Sequence, residues 1–263
     1  ISHNNRPEWN ILDIGILQIG AINVPVYPTI SESDYKFIFN DSQVKLCFVS
    51  NDELFGKANA IIEDVTTLTD IYSFLPVDGC KNWQEVLDNG KDTGNQNEVD
   101  ELKNKVDAMD LATLIYTSGT TGLPKGVMLS HNNIVTNCKA SIERLPTNDT
   151  ADGLSFLPVC HVFERMILYL YQITGVSIYF AESIDTIKEN IAEAKKMSET
   201  NNDYRNISNT MSRLPLFVIP TPGESKWVQE QYDDNISSTS TAKQTTIVGT
   251  TGTPSSAKKR SLQ

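Results

Sequence analysis

The residues whose types and spacing carry the most chemistry run from Thr117 to Gly126: Thr-Ser-Gly-Thr-Thr-Gly-Leu-Pro-Lys-Gly. They gather three glycines (Gly119, Gly122, Gly126), four hydroxyls (Thr117, Ser118, Thr120, Thr121) and one cation, Lys125. A loop of this composition can turn its backbone N–H groups toward phosphate oxygens. Glycine permits close approach and positive φ, the hydroxyls add donors, and the lysine adds a point charge for a polyphosphate. The apolar run 111–116, Leu-Ala-Thr-Leu-Ile-Tyr, leads into it and reads as a buried strand. A flexible Ser/Thr/Gly linker has a similar composition, but it does not follow directly on a buried strand. The loop is not a Walker motif, which needs Gly just before the Lys and Ser or Thr just after it. Here Pro124 precedes Lys125 and Gly126 follows. The dinucleotide pattern G-x-G-x-x-G is absent as well.

As it stands, the stretch 111–126 closely resembles the phosphate-loop signature of the adenylate-forming enzymes, which include acyl-CoA synthetases, luciferases and peptide-synthetase adenylation domains. Upstream, Asn-Arg-Pro-Glu-Trp at 5–9 and Gly-Ala-Ile-Asn-Val-Pro-Val-Tyr-Pro-Thr at 20–29 resemble the start of the same domain. Downstream, Leu-Pro-Val-Cys-His-Val-Phe-Glu-Arg at 157–165 and Ser-Ile-Tyr-Phe-Ala-Glu-Ser at 177–183 resemble the long-chain fatty acid branch. The resemblance covers residues 1–197.

That resemblance implies a two-step reaction. A fatty acid carboxylate attacks the α-phosphate of ATP, giving an acyl-adenylate and pyrophosphate, and the thiol of CoA then displaces AMP. ATP, Mg²⁺ and CoA are the implied cofactor and co-substrates. By position in the motif, Thr117, Ser118, Gly119, Thr120, Thr121, Gly122 and Lys125 would hold the β- and γ-phosphates, and Thr117 would also approach Mg²⁺. For Ser118 and Thr120 the alternative is that only the backbone N–H groups matter. His161 and Phe163 would line the carboxylate and adenylate pocket. Their plainer readings are a structural histidine beside an apolar helix and a core aromatic. Glu164 and Arg165 read as an exposed or interhelix ion pair without chemistry. Cys160 beside His161 is not read as a nucleophile pair, since adjacent residues on a chain rarely face each other.

Other parts of the pattern are missing from the sequence. There is no Tyr-Gly-x-Thr-Glu stretch, which in the family contacts adenine and supplies a magnesium-binding Glu. There is no Arg-Thr-Gly-Asp-like stretch for the ribose, and no C-terminal domain with its adenylation lysine. Lys258 and Lys259 lack the flanking pattern for that role. The expectation is an AMP-forming long-chain fatty acid–CoA ligase whose activity belongs to a longer parent, with this chain inactive alone. The rival expectation is a non-catalytic nucleotide-binding or regulatory protein derived from such an enzyme. The chain starts at Ile1, and its first motif normally sits well inside such a domain, so the N-terminus reads as truncated.

These groups need a scaffold, and the periodicity supplies one. Helices are expected over 8–20, 34–39, 52–63, 83–87, 131–142 and 161–173, with Ser31 and Ser130 as caps, and over a last segment begun by Ser183 with Ile184, Ile187 and Ile191 on one face. Strands are expected at 44–49, 71–74, 127–129, 153–157 and 176–180, with 24–28 extended because each proline restricts the residue before it. The polar segment 88–100 reads as a surface loop and 146–152 as a turn. Strand and helix alternate, which argues for an α/β fold with a mainly parallel sheet flanked by helices. The resemblance implies the same: a partial N-terminal domain of the acyl-CoA synthetase-like fold.

The character changes near residue 197. Residues 198–263 hold twenty Ser or Thr in 66 positions, and periodicity fades. They read as an unrecognised, largely disordered tail. Within it, Gly-Thr-Thr-Gly-Thr-Pro at 249–254 only superficially resembles a second phosphate loop. The net charge of −11 and the lack of a strongly basic stretch, beyond the short cluster Lys258-Lys259-Arg260, argue against nucleic acid as partner. Four scattered cysteines and three histidines show no metal-ligand spacing, so a reduced intracellular chain without zinc is expected. No apolar run nears the ~20 residues of a membrane span. The expectation is a cytoplasmic protein with small-molecule partners, and long acyl substrates leave room for peripheral membrane contact. Oligomeric state is not legible.

Overall fold

The computed structural model describes residues 5–117, 123–142, 152–183, 185–200, 247–250 and 257–259. They divide into two compact units, one built mainly from 11–106 and 111–129, the other from 4–10, 107–110 and 130 onward.

The first unit receives most of helix α1 (Pro7–Gln18) and then runs through α2 (Glu32–Asp41), β1 (Leu46–Val49), α3 (Asp52–Asn59), β2 (Asp70–Ser73), β3 (Lys81–Asn82), α4 (Gln84–Thr93), α5 (Gln96–Lys105), β4 (Leu111–Thr117) and β5 (Lys125–Ser130). Helix α2 begins where the sequence predicts. Ser31 is extended at φ −71°, ψ 159°, and its hydroxyl accepts the Asp34 N–H at 3.1 Å. Glu32 and Asp34 place negative charge on the positive end of the helix dipole. Tyr35, Ile38 and Phe39, spaced three and four apart, turn to one buried face. Asn51 caps α3 in the same way, accepting the Leu54 N–H at 3.1 Å. Strands β1, β2 and β3 form a parallel sheet with Leu46 opposite Asp70 and Tyr72 opposite Lys81. Cys47, Val49 and Ile71 from this sheet and Leu54 and Ala58 from α3 share one core with the α2 residues. Each large side chain there contributes about 1.5–3 kcal/mol by leaving water.

The expected surface loop at 88–100 is instead helical. It forms the second half of α4 and the first half of α5, joined at Gly94 and Asn95. Asn95 caps α5 by accepting the Asn97 N–H at 3.1 Å, Glu98 lies in its first turn, and Lys103 and Lys105 lie in its last. Neither helix buries a residue. Both helices therefore lie on the surface and rest on capping and charge placement.

The second unit holds α6 (His131–Ile142), β6 (Asp152–Ser155), α7 (Val162–Thr174), β7 (Ser177–Phe180), α8 (Ile187–Thr200), β8 (Ile247–Thr250) and β9 (Ala257–Lys259). Strands β6 and β7 run parallel, Asp152 opposite Ser177, with α7 as the crossover. Its helix closes at Gly175, whose φ of 74° lets its N–H reach back to the Tyr171 carbonyl. Trp9, Val159, Leu168, Ile178 and Phe180 form the core of this unit. Ser183 does open the last helical segment, accepting the Thr186 N–H at 3.3 Å. Ile191 nevertheless stands 52% exposed, while its neighbour Asn190 is buried and accepts the Glu182 N–H and the Thr186 hydroxyl. Ile184 and most of the expected turn at 146–152 lie outside the described residues. Two pieces of the tail are strands: β8 extends the sheet parallel to β7, and β9 follows antiparallel. Gly249 and Thr250 thus sit within a ladder rather than in a phosphate loop.

Candidate functional site

Strand β4 ends on Thr117 and β5 begins on Lys125, and the two strands are neighbours in one sheet. The seven residues between them are too few for a parallel crossover, so the pair is a hairpin. Its closed end brings the Thr117 hydroxyl and the Lys125 ammonium to the two stems of one connection. Both residues are exposed. Ser118, Gly119, Thr120, Thr121 and Gly122 lie outside the described residues.

The stem below that connection is held by contacts that the motif alone does not reveal. Tyr116, one residue before Thr117, is buried, and its hydroxyl donates to Asp41 Oδ2 at 2.6 Å. Burial first, and then the hydrogen bond to the Asp41 carboxylate, push this phenol well above its ordinary range. On the facing strand, a Cβ at Gly126 would lie 3.1 Å from Tyr116 Cζ and 3.3 Å from its hydroxyl oxygen. Glycine at 126 therefore lets β5 cross the Tyr116 ring. The loop is entered and left through two strands fixed by one aromatic side chain.

These stems suit a polyphosphate: a solvent-facing cation and a hydroxyl at the mouth of a Gly-rich connection. For Mg²⁺ they bring less. The ion takes six oxygens, and Thr117 offers one. Among the described residues no group of three or more His, Cys, Asp or Glu lies together as a metal cluster. Phosphate oxygens and water would have to complete the shell.

In the second unit, His161 stands immediately before α7 and caps it. Its backbone is extended at φ −85°, ψ 131°, and Nδ1 accepts the Phe163 N–H at 3.2 Å. An imidazole that accepts at Nδ1 carries its proton on Nε2 when neutral. His161 is exposed, so the group left to meet a ligand is an Nε2–H donor. Phe163 is 51% exposed and does not pack as core. Cys160 is buried with only 4% of its surface exposed, so it shares no open face with His161.

Glu164 and Arg165 depart from expectation, because both are buried, at 3% and 2% exposure. Ser155 donates its hydroxyl to Glu164 Oε1 at 2.5 Å, and Asn5 Nδ2 lies 3.3 Å from the same oxygen. Burial raises the Glu164 pKa, opposed by the Ser155 hydroxyl and the backbone N–H groups of Leu157 and Phe156. Arg165 donates Nε to the Tyr169 hydroxyl at 2.8 Å, with its guanidinium 5.7 Å from the Trp9 ring and 5.6 Å from the Tyr169 ring. Aromatic faces attract a desolvated cation by about 2 kcal/mol. Sequence reasoning missed this because a Glu-Arg pair next to a histidine reads as a solvated helix start. Only the distant partners Asn5, Trp9 and Ser155 reveal the burial.

Comparison with known proteins gives the family. The family described as "AMP-binding enzyme" matches residues 1–199. Human long-chain-fatty-acid–CoA ligase 1 is 32% identical over 188 residues, covering 67% of this chain and 27% of the ligase. The ligase FadD15 of Mycobacterium tuberculosis is 32% identical over 195 residues, covering 72% of this chain and 32% of its own length. The chain thus spans about a third or less of these relatives. Among solved structures, the long-chain-fatty-acid–CoA ligase FadD1 from Archaeoglobus fulgidus aligns with a TM-score of 0.62 at 21% identity, over 74% of this chain and 37% of that one. A Mycobacterium tuberculosis fatty acyl CoA synthetase gives 0.59 at 20% identity, over 73% and 36%. These two likenesses speak for the fold. Since the family match runs over most of the sequence and takes in both the loop stems and the His161 segment, the chain belongs to the AMP-binding enzyme family.

Proposed function

We propose that this chain is the phosphate- and carboxylate-receiving part of an AMP-forming acid–thiol ligase, with ATP, a long-chain fatty acid and CoA as reactants. The carrying observation is the hairpin that sets Thr117 and Lys125 at the two ends of one Gly-rich connection. The relatives named as long-chain-fatty-acid–CoA ligases support the choice of acid.

In the first step a carboxylate oxygen forms a bond to the α-phosphorus, and the bond from that phosphorus to the bridging oxygen breaks, releasing pyrophosphate. Negative charge builds on the leaving β- and γ-phosphates. Lys125 neutralises part of it, and Thr117 donates a hydrogen bond, from the ends of strands β5 and β4. The loop residues Ser118, Gly119, Thr120, Thr121 and Gly122 complete the cradle in this reading. His161 offers Nε2–H to an oxygen of the acid or its adenylate, and the exposed ring of Phe163 supplies an apolar wall. In the second step the CoA thiol, losing its proton, attacks the acyl carbon and AMP leaves. Magnesium, when bound, would draw charge from the phosphates, and Thr117 would hold it through its hydroxyl. Such a protein works on small molecules in the cytoplasm, with loose contact to membranes that store its substrate. Among the described residues no helix is long and apolar enough to cross one.

Calorimetric titration with ATP and Mg²⁺ tests the reading. The parent chain should bind, and Lys125→Ala should lose on the order of tenfold in affinity, the worth of one charge-assisted contact. Equal affinity in parent and variant, or no binding by the parent, would overturn the assignment of the hairpin as a self-sufficient phosphate site.

A further inference from the structure

Beneath the connection from β6 to α7 lies a polar cluster that the phosphate chemistry does not use. Glu164 is 3% exposed and Ser155 fully buried. Asn5 Nδ2 lies 2.7 Å from Ser155 Oγ and 2.6 Å from the Leu157 carbonyl oxygen. Ser155 Oγ in turn donates to Glu164 Oε1 at 2.5 Å. The Glu164 carboxyl also accepts the backbone N–H groups of Phe156 and Leu157. One carboxyl and one amide therefore grip two consecutive N–H groups and a carbonyl of the same short connection. The chain leaves that grip at Pro158, whose carbonyl accepts the His161 N–H at 2.8 Å, and His161 then caps α7.

We propose that Glu164, acting with Asn5 and Ser155, is a positioning residue that fixes the 155–158 backbone and so sets where His161 presents its Nε2–H to the acyl-adenylate. This rests on the adenylate reading given above. The physical case is one of specificity against stability. A buried carboxyl gives up its hydration, and apolar side chains of similar volume usually stabilise a core as well or better. What the carboxyl adds is direction: as an acceptor it dictates where several donors must be, and these donors belong to the strand end, the connection and the N-terminal segment. A shift of one N–H in the connection would carry through Pro158 to the cap. Glu164 itself, at 3% exposure, touches no ligand and acts through the backbone.

The test uses the whole chain as parent, Glu164→Gln, Glu164→Ala and Ser155→Ala. Urea unfolding reports stability. The ring resonance of His161, identified by its loss in His161→Asn, reports the geometry. Affinity for a non-hydrolysable acyl-sulfamoyl-adenosine and for ATP reports the site. Glu164→Ala and Ser155→Ala should shift the His161 resonance and weaken the analogue on the order of tenfold with ATP affinity held, the first removing the acceptor of the connection's N–H groups and the second the hydroxyl that joins that acceptor to Asn5. Glu164→Gln keeps the shape but turns one acceptor oxygen into an N–H donor facing these donors, and should shift the resonance and weaken the analogue in the same direction, by less than Glu164→Ala. An unmoved His161 resonance in both alanine variants would overturn the proposal, and so would a loss of analogue and ATP affinity together in proportion to stability. If the parent binds no analogue, the adenylate reading fails. The clamp is then decided by the resonance alone: shifted in both alanine variants it stands, unshifted it falls. Should Glu164→Ala not fold, Ser155→Ala and Glu164→Gln give the same decision.

Discussion

At Gly153 a single methyl group decides the packing of the second unit. A Cβ there would stand 2.6 Å from Tyr171 Cε2 and 2.7 Å from its Cζ, closer than real contacts allow. The Tyr171 ring, partly buried, packs against the core around Trp9 and Leu168. Gly153→Ala should therefore destabilise the protein by about 1–3 kcal/mol, the range for overpacking. The check is a lower urea midpoint at unchanged slope. Gly126 is the milder case, at 3.1–3.3 Å from the Tyr116 ring. Glu164 makes a different kind of prediction. Its pKa is raised above the ordinary 4.5, chiefly by burial, so the folded state holds the proton more tightly than the unfolded chain does. The stabilisation linked to that proton is fully present below the ordinary value and is lost as pH rises through the higher native one. Glu164→Gln carries no charge and lacks this dependence. Its stability relative to the parent should rise between about pH 4 and about pH 8, in denaturant titrations at both values. A flat difference would mean that the native and unfolded carboxyl titrate alike.

Helix α7 joins the fold to the candidate site through its cap, which gives a clean separation of roles. His161→Ala removes the side-chain acceptor of the Phe163 N–H and should cost about 1 kcal/mol of stability. His161→Asn restores an acceptor that suits the cap position but presents no Nε2–H. It should keep the parent's melting behaviour while losing acyl-adenylate-analogue affinity as fully as the alanine variant. Equal analogue binding in the asparagine variant and the parent would reduce His161 to a cap. The same element shows what the sequence can and cannot disclose. Its extent, expected over 161–173 and found at Val162–Thr174, was legible because helix formation is local. The burial of Glu164 and Arg165 was not, since it depends on Asn5, Trp9 and Ser155, none nearer than nine residues from its Glu164 or Arg165 contact. Beyond the expected 83–87 piece of α4, the helical character of 88–100 went unseen for another reason: neither helix buries a residue, and two glycines and several amides imitate a loop. The hairpin stems stood out because a strand followed by small, hydroxylated residues and a lysine is compressed into a short stretch. The Tyr116–Asp41 bond beneath them joins residues 75 positions apart and was invisible.

For the molecule as a whole, binding a nucleotide and reacting it are separate demands. The chain spans 27% of the human ligase and 32% of FadD15, and its sequence lacks the adenine-, ribose- and lysine-bearing stretches to which the resemblance points. Phosphate binding needs only a local cradle, and a net charge of −11 does not forbid it when Lys125 stands at the mouth. Adenylation asks for more, because the charge developing in the transition state must be met by groups already in place. Removing one such preorganised donor typically lowers a rate by about 10²–10³. Several missing together, with acid and nucleotide less firmly oriented, leave little of the chemical step. The chain alone should therefore bind ATP while releasing no pyrophosphate from ATP and a long-chain fatty acid with Mg²⁺, in an assay that follows pyrophosphate continuously. Lys125→Ala serves as the internal control. Release above the blank that disappears in this variant would show that the hairpin and the His161 segment suffice for adenylation and that the missing stretches only accelerate it. Release that persists in the variant would trace to a contaminant. Absence of release from a parent that still binds ATP would assign this chain the receiving half of the reaction, with the reacting half supplied by sequence beyond it.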